Sequence, residues 1–214
     1  MKSLVLTVFA TIILASTSMA VPSLQLYIPG GEYDASSETW YTTEQDFELW
    51  VVASGLNHGS IQDIHLVASL LGQTPTDGAL TITPEGGVGT TYSAADYVYG
   101  TPPTSDPMPG HGVFPTDYVE HFVAAQTTSG PFVNVQDYVP GGDGGENQYG
   151  QVFKFGISTT YAGGVHFDAY GFDKNRVFAP FSHDAQTTIP EPATVLLLGL
   201  GLAGVGVARR FRKA

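Results

Sequence analysis

The feature that most constrains this chain is a two-residue alternation that recurs along its middle. In "DFELWVVAS", Phe47, Leu49, Val51 and Ala53 fall on one side and Glu48, Trp50 and Val52 on the other. "DIHLVASL" sets Ile64, Leu66, Ala68 and Leu70 against Asp63, His65, Val67 and Ser69. "QVFKFGIST" sets Phe153, Phe155 and Ile157 against Val152 and Lys154. "GVHFDAYGF" sets Val165, Phe167 and Ala169 against His166, Asp168 and Tyr170. Such a period, rich in β-branched and aromatic residues, predicts strands with one face on a core. Shorter strands are expected at 24–28, 79–83, 117–124, 132–138 and 177–181. Turn chemistry separates the runs, as in "PGGEYD", "SGLNHGS", "TPTDG" and "PGGDGGENQYG". No helical apolar stripe and no fixed repeat interrupts this pattern. The expectation is all-β: a single jelly-roll-like β-sandwich over residues 22–186. The prolines of "GTPPTSDPMPGHG", 100–112, predict an exposed loop there.

The two ends differ from this body. Residues 1–20 have the anatomy of a signal peptide: Lys2, the apolar run "LVLTVFATIILA", and "SMA", with cleavage by signal peptidase after Ala20. A signal helix is expected there. Charge is divided sharply. Of eight basic residues only Lys154, Lys174 and Arg176 lie between Lys2 and the C-terminal cluster, while all twenty acidic residues fall from Glu32 to Glu191, a formal −17. A surface of that sign repels phosphate backbones, which excludes nucleic acid as a partner. The chain has no cysteine. Disulfides, thiol catalysis and thiolate metal sites are therefore excluded, and an exported domain must be stabilised by its apolar core.

The tail, "PEPATVLLLGLGLAGVGVARRFRKA", admits three readings. "GLGLAG" matches a dinucleotide fingerprint, but ten residues without an acid follow it, too few for the required helix, strand and ribose-binding carboxylate. A second reading is a single transmembrane helix over 193–208. Those sixteen uncharged residues extend about 24 Å, short of a roughly 30 Å hydrocarbon core. Arg209, Arg210, Arg212 and Lys213 would act as a basic stop-transfer cluster held in the cytoplasm. Neither reading accounts for Pro190, Glu191 and Pro192, which force an extended, stiff segment just before the span.

Pro-Glu-Pro, a short Gly- and Leu-rich apolar run and a terminal Arg cluster together resemble the PEP-CTERM sorting signal, a tail also labelled an ice-binding-protein C-terminal domain. The resemblance covers about twenty-five residues and divides 187–214 into a linker with the motif (187–192), the span (193–208) and the basic tail (209–214). It implies export in a Gram-negative bacterium, an inner-membrane precursor held by the C-terminal helix, an exosortase as processing partner, and a destination at the cell surface or in the extracellular matrix. "PSLQLYIPGGEYD" and "GVHFDAYGFD…FAPFSHDA" are similar to choice-of-anchor proteins of the N type, β-rich surface proteins that come with no assigned activity.

Chemistry is sparse in the body. G-x-S-x-G, Walker A and H-E-x-x-H are absent, so no catalytic residue is assigned and no enzyme is expected. No cofactor is expected beyond weakly bound calcium, for which Asp143 and Glu146 in "GGDGGENQYG" are candidates, although a polar hairpin loop explains them equally. His166 and Asp168 lie two apart on one strand. With His183 one connection later they are candidates for a metal or acid–base cluster, the alternative being hydrogen bonds that fix strand ends. Threonines are scattered in turns such as "GTTY", not arrayed as an ice-binding face would need. The function expected is a non-enzymatic cell-envelope or matrix protein. The alternative is a secreted protein that binds or processes carbohydrate, with tyrosines and Trp40 or Trp50 as platforms for extracellular polysaccharide.

Overall fold

The structure is a computed structural model that describes residues 22–56, 59–104, 107–108, 112–128, 130, 132–133, 148–173, 176–178 and 184–188. Among the described residues fifteen strands follow one another: β1 (Ser23–Tyr27), β2 (Glu32–Asp34), β3 (Thr39–Thr42), β4 (Asp46–Ser54), β5 (Gln62–Leu70), β6 (Leu80–Pro84), β7 (Thr90–Tyr92), β8 (Val98–Gly100), β9 (Thr116–Gln126), β10 (Phe132–Val133), β11 (Gln148–Tyr149), β12 (Gln151–Thr159), β13 (Val165–Asp173), β14 (Arg176–Phe178) and β15 (Asp184–Thr187). Among the described residues the one helical piece is a 3₁₀ turn at Ala94–Asp96. The signal helix, the cleavage point at Ala20 and the C-terminal transmembrane helix fall outside the described residues. Within them, no helix is long and apolar enough to cross a membrane.

Two sheets carry the fold. A five-stranded sheet has the order β1-β4-β12-β6-β7. An eight-stranded sheet runs β2-β3-β15-β13-β5-β9-β8, with β14 also paired to β13. A separate ladder joins β10 and β11. Two connections, β4 to β5 and β12 to β13, cross between the sheets at opposite ends of the antiparallel strands. β4 and β12 are neighbours in the smaller sheet, Val51 opposite Phe153, and their successors β5 and β13 are neighbours in the larger one, Ala68 opposite Phe167. Almost all pairs are antiparallel; β15 runs parallel to β3, Ala185 beside Trp40.

The alternation read from the sequence decides which face each strand buries. Leu49, Val51 and Ala53 of β4, Phe155 and Ile157 of β12, Leu66 and Ala68 of β5, and Phe167 and Ala169 of β13 meet in one core between the sheets. Phe47 and Phe167 touch edge to face across it, ring centroids 6.0 Å apart. Each of the buried Leu, Val, Ile and Phe side chains contributes about 1.5–3 kcal/mol by leaving water. The two sheets, the near absence of helix and the shared core make a β-sandwich, as the alternation requires.

The proline-rich segment departs from expectation. Pro102, Pro103 and Met108 are buried, and the Met108 amide donates to the Pro102 carbonyl at 2.8 Å. Met108 packs with Val67, Tyr118 and Tyr170 in a second apolar cluster. Those three residues lie on the outer face of the large sheet, away from the main core. A sheet that carries large apolar residues on both faces needs cover on both. Proline suits such a cover because it brings no N–H that burial would orphan.

One histidine lies on the core side. His121 of β9 is buried, its ring edge-on to Phe155 at 5.6 Å. The Tyr92 hydroxyl, whose pKa burial and then Asp96 push up to about 12, is hydrogen-bonded to Nδ1 at 2.7 Å. Nε2 has no hydrogen-bond partner among the described residues. Burial, and then the neighbouring His65, hold the His121 pKa below its ordinary value.

Two outcomes follow from this packing. Phe167→Ala should lower stability by about 3–5 kcal/mol, whereas Phe122→Ala, at an exposed position, should stay within about 0.5 kcal/mol. Gly164→Ala should cost about 2 kcal/mol or more, because Gly164 has φ +87° and a Cβ there would strike the Thr187 carbonyl. Urea midpoints decide both; equal midpoints for Phe167→Ala and Phe122→Ala would refute this placement of the core.

His121 adds a pH dependence. A histidine whose folded pKa is depressed contributes stability above its unfolded pKa of about 6.5, and that contribution is lost as pH falls below it. The wild-type midpoint should therefore drop between pH 7.5 and pH 5 more steeply than that of His121→Leu. Parallel slopes would show that the His121 pKa is the same in the folded and unfolded chain.

Candidate functional site

The outer face of the large sheet is where polar chemistry collects. β13 sends Phe167 and Ala169 into the core, so His166, Asp168 and Tyr170 project to the opposite side. Ser69 of β5 lies directly across from His166, and Gln186 of β15 lies across from it on the other flank. Asp184 of β15 has the same parity as Gln186, with Ala185 between them in the core. Three adjacent strands thus deliver Ser69, His166, Asp168, Asp184 and Gln186 to one face.

These groups are buried, although they stand on the side away from the core. His166 is 4% exposed, Asp168 1%, Asp184 7% and Ser69 0%. His166 Nε2 lies 3.5 Å from Asp168 Oδ2 and 3.9 Å from Asp184 Oδ2. One donor atom from each of the three residues falls within 4.8 Å of the other two. His166 Nδ1 lies 3.3 Å from Gln186 Oε1. Donation from Nδ1–H to that oxygen selects the tautomer whose Nε2 lone pair faces the carboxylates. Ser69 Oγ has no hydrogen-bond partner among the described residues. Two carboxylates out of bulk water beside an imidazole cost several kcal/mol unless positive charge lies between them.

Sequence reasoning brings His166 and Asp168 together correctly, two apart on one strand face. His183, Asp143 and Glu146 lie outside the described residues. The residue that joins the pair is Asp184, one position beyond His183. Its signal was available: "DAQT" repeats the polar–apolar alternation of "HFDA", with Asp184 and Gln186 in the polar places. Ser69 carries no signal of its own, because only strand register sets it opposite His166.

Beyond this cluster the same face turns aromatic. Tyr170 stacks on His65, centroids 5.1 Å apart and planes 8° from parallel, and its hydroxyl donates to Glu120 Oε1 at 3.1 Å. Burial, followed by the Glu120 carboxylate, pushes the Tyr170 pKa up, so the phenol keeps its proton and remains a donor.

The smaller sheet presents a different surface. Trp50 of β4 stands opposite Tyr27 of β1 and Lys154 of β12. The Lys154 ammonium sits 4.6 Å from the Trp50 ring centre, and Trp50 Nε1–H donates to Glu48. Beside them Asp46, Glu48, Glu85, Lys154 and Gly156 line a groove of about 430 Å³. The "GTTY" threonines are not in a turn. Thr90–Tyr92 forms β7, and Thr91 meets Thr81 of β6 with hydroxyl oxygens 2.8 Å apart.

Among curated proteins none matches this chain. Three solved structures share a partial likeness. AvmM, whose structure carries the description that it catalyses macrocyclization in alchivemycin A biosynthesis, is 10% identical over 80% of this chain and 89% of its own, with a TM-score of 0.33. The C-terminal domain of the Streptococcus agalactiae AgI/II polypeptide BspA is 14% identical over 78% of this chain and 50% of its own, TM-score 0.29. The GH20 exo-β-N-acetylglucosaminidase of Vibrio harveyi is 7% identical over 80% of this chain and 19% of its own, TM-score 0.24. Likeness at that level carries no argument about fold or activity. The tail is different. Residues 188–213 match the PEP-CTERM protein-sorting motif, a stretch that includes Pro190, Glu191, Pro192, Arg209, Arg210, Arg212 and Lys213. The chain thus carries the signal of an exported protein, anchored in the membrane until an exosortase processes it.

Proposed function

We propose that this chain is a non-enzymatic component of the cell envelope or extracellular matrix, a jelly-roll-like sandwich of the choice-of-anchor kind delivered by its own sorting tail. The observation that carries the reading is the sorting motif at 188–213. The body supports it. The acidic groups gathered on the large sheet are buried within the fold and not displayed across an open cleft. The apolar core is continuous without a disulfide, which suits a domain that persists outside the cell.

A second reading, binding of extracellular polysaccharide, is favoured by the row Tyr27, Trp50 and Lys154 beside the acidic groove on the smaller sheet. Sugar rings stack on exposed aromatic faces, and their hydroxyls bond to neighbouring carboxylates. Trp50→Ala should weaken retention on a polysaccharide column by about tenfold or more if that surface binds. Unchanged retention on every polysaccharide tried would leave the structural reading alone.

The sorting reading is tested by replacing Pro190, Glu191 and Pro192 with alanines in the native host. Membrane energetics reside in 193–213, so a plain anchor would not respond. A sorting signal would fail, and uncleaved precursor would accumulate in the inner membrane. Intact mass of the mature protein reads the result. If wild type and triple variant both retain Arg209 to Lys213 and fractionate alike, exosortase processing is refuted.

A further inference from the structure

We infer that His166, Asp168 and Asp184, with Ser69 as a fourth donor, form a buried site for one divalent first-row cation of the Zn²⁺ or Mn²⁺ type. The site acts as a clamp between β13, β5 and β15.

Three independent observations lead there. The first is distance. Nε2 of His166 is 3.5 Å from one Asp168 oxygen and 3.9 Å from one Asp184 oxygen. These separations are too long for N–H···O hydrogen bonds, which peak near 2.9 Å. They suit ligands that share an ion at about 2.0–2.2 Å from each. The second is orientation. Gln186, on the strand flanking His166, meets Nδ1 at 3.3 Å and leaves Nε2 with its lone pair toward the carboxylates. A ligating histidine is commonly fixed in this way by an acceptor behind it. The third is Ser69. Its hydroxyl is fully buried, has no hydrogen-bond partner among the described residues, and sits across the β5–β13 ladder from His166 on the same face. Such a buried hydroxyl is destabilising when unsatisfied, and a cation would accept a lone pair of its oxygen directly.

The donor set selects the class of ion. One imidazole nitrogen with three oxygens and no thiolate suits Zn²⁺ or Mn²⁺. Calcium prefers six to eight oxygens and gains little from imidazole. This differs from the sequence expectation of, at most, weakly held calcium in the loop with Asp143 and Glu146. The clamp also has a definite place in the chain. β15 ends at Thr187, and the sorting motif begins at 188, so the ion would pin the strand from which the processed tail departs.

The test uses the full chain purified in detergent without chelator. Elemental analysis should find about one equivalent of Zn²⁺ or Mn²⁺ per chain. Removal by EDTA should lower the melting temperature by roughly 5–10 °C, restored by Zn²⁺ or Mn²⁺. Asp168→Asn with Asp184→Asn should abolish binding and the response to EDTA. It should melt no lower than EDTA-treated wild type, because the amides remove two buried charges. Should that pair fail to fold, Ser69→Ala and Gln186→Leu, which leave both carboxylates in place, should each weaken Zn²⁺ affinity about tenfold or more. Metal-free protein as isolated that shows no thermal shift with Zn²⁺ or Mn²⁺ would overturn the site. A response confined to Ca²⁺, or affinity unchanged in both Ser69→Ala and Gln186→Leu, would overturn it as well.

Discussion

The antiparallel pairing of β5 with β13 is the constraint on which the other features depend. These two strands stand at the centre of the large sheet and carry residues that must be covered on both faces. Inward, Leu66, Ala68, Phe167 and Ala169 complete the core against β4 and β12. Outward, Val67 and Tyr170 draw the proline-rich segment over them through Met108, while Ser69, His166 and Asp168 gather polar partners from β15. A slip of one residue in this ladder would exchange the two sets, placing His166 and Asp168 in the apolar core and Phe167 outside. The large apolar area on the inner face therefore fixes the register, and the register fixes the site.

How much of this was legible follows from the same logic. Strands with one wet face announce themselves by alternation, so β4, β5, β12 and β13 were read with their correct inward sets. Two-sided burial was harder to see. "HLVAS" shows Val67 as an apolar residue on the supposedly solvated face, yet what covers it includes Met108, some forty positions away in a sequence rich in prolines. Local pattern does not encode that contact. Asp184 was passed over for a related reason. Histidine attracts attention as a ligand type, but only the pairing of β15 with β13 puts Asp184, of the same parity as Gln186, on the face of His166.

The tail was legible for the opposite reason. Its information is carried by residue identity and order, not by packing. Pro190, Glu191 and Pro192, an uncharged run and four basic residues follow one another in the linear sequence, and the motif is matched on that order alone. No tertiary contact is needed to read it, and none can override it. The body and the tail therefore supply different kinds of knowledge. One specifies a shape whose ligand depends on register, and the other an address that does not depend on the shape at all.

The two meet at β15. This strand is only four residues long and joins β13 on one side and β3, in parallel, on the other. A parallel pair is slightly weaker per residue than an antiparallel one, and a strand so short has little ladder to hold it. Gly164 contributes by letting the Thr187 carbonyl approach closer than any Cβ would permit. Thr187 adds a bond from its hydroxyl to the Glu44 carbonyl at 3.2 Å. Ala185 buries a single methyl in the core. Each is a small contribution for a strand of four residues. Asp184 and Gln186, which stand on the same face as His166, add polar contacts on the outer side, so β15 is held from both faces.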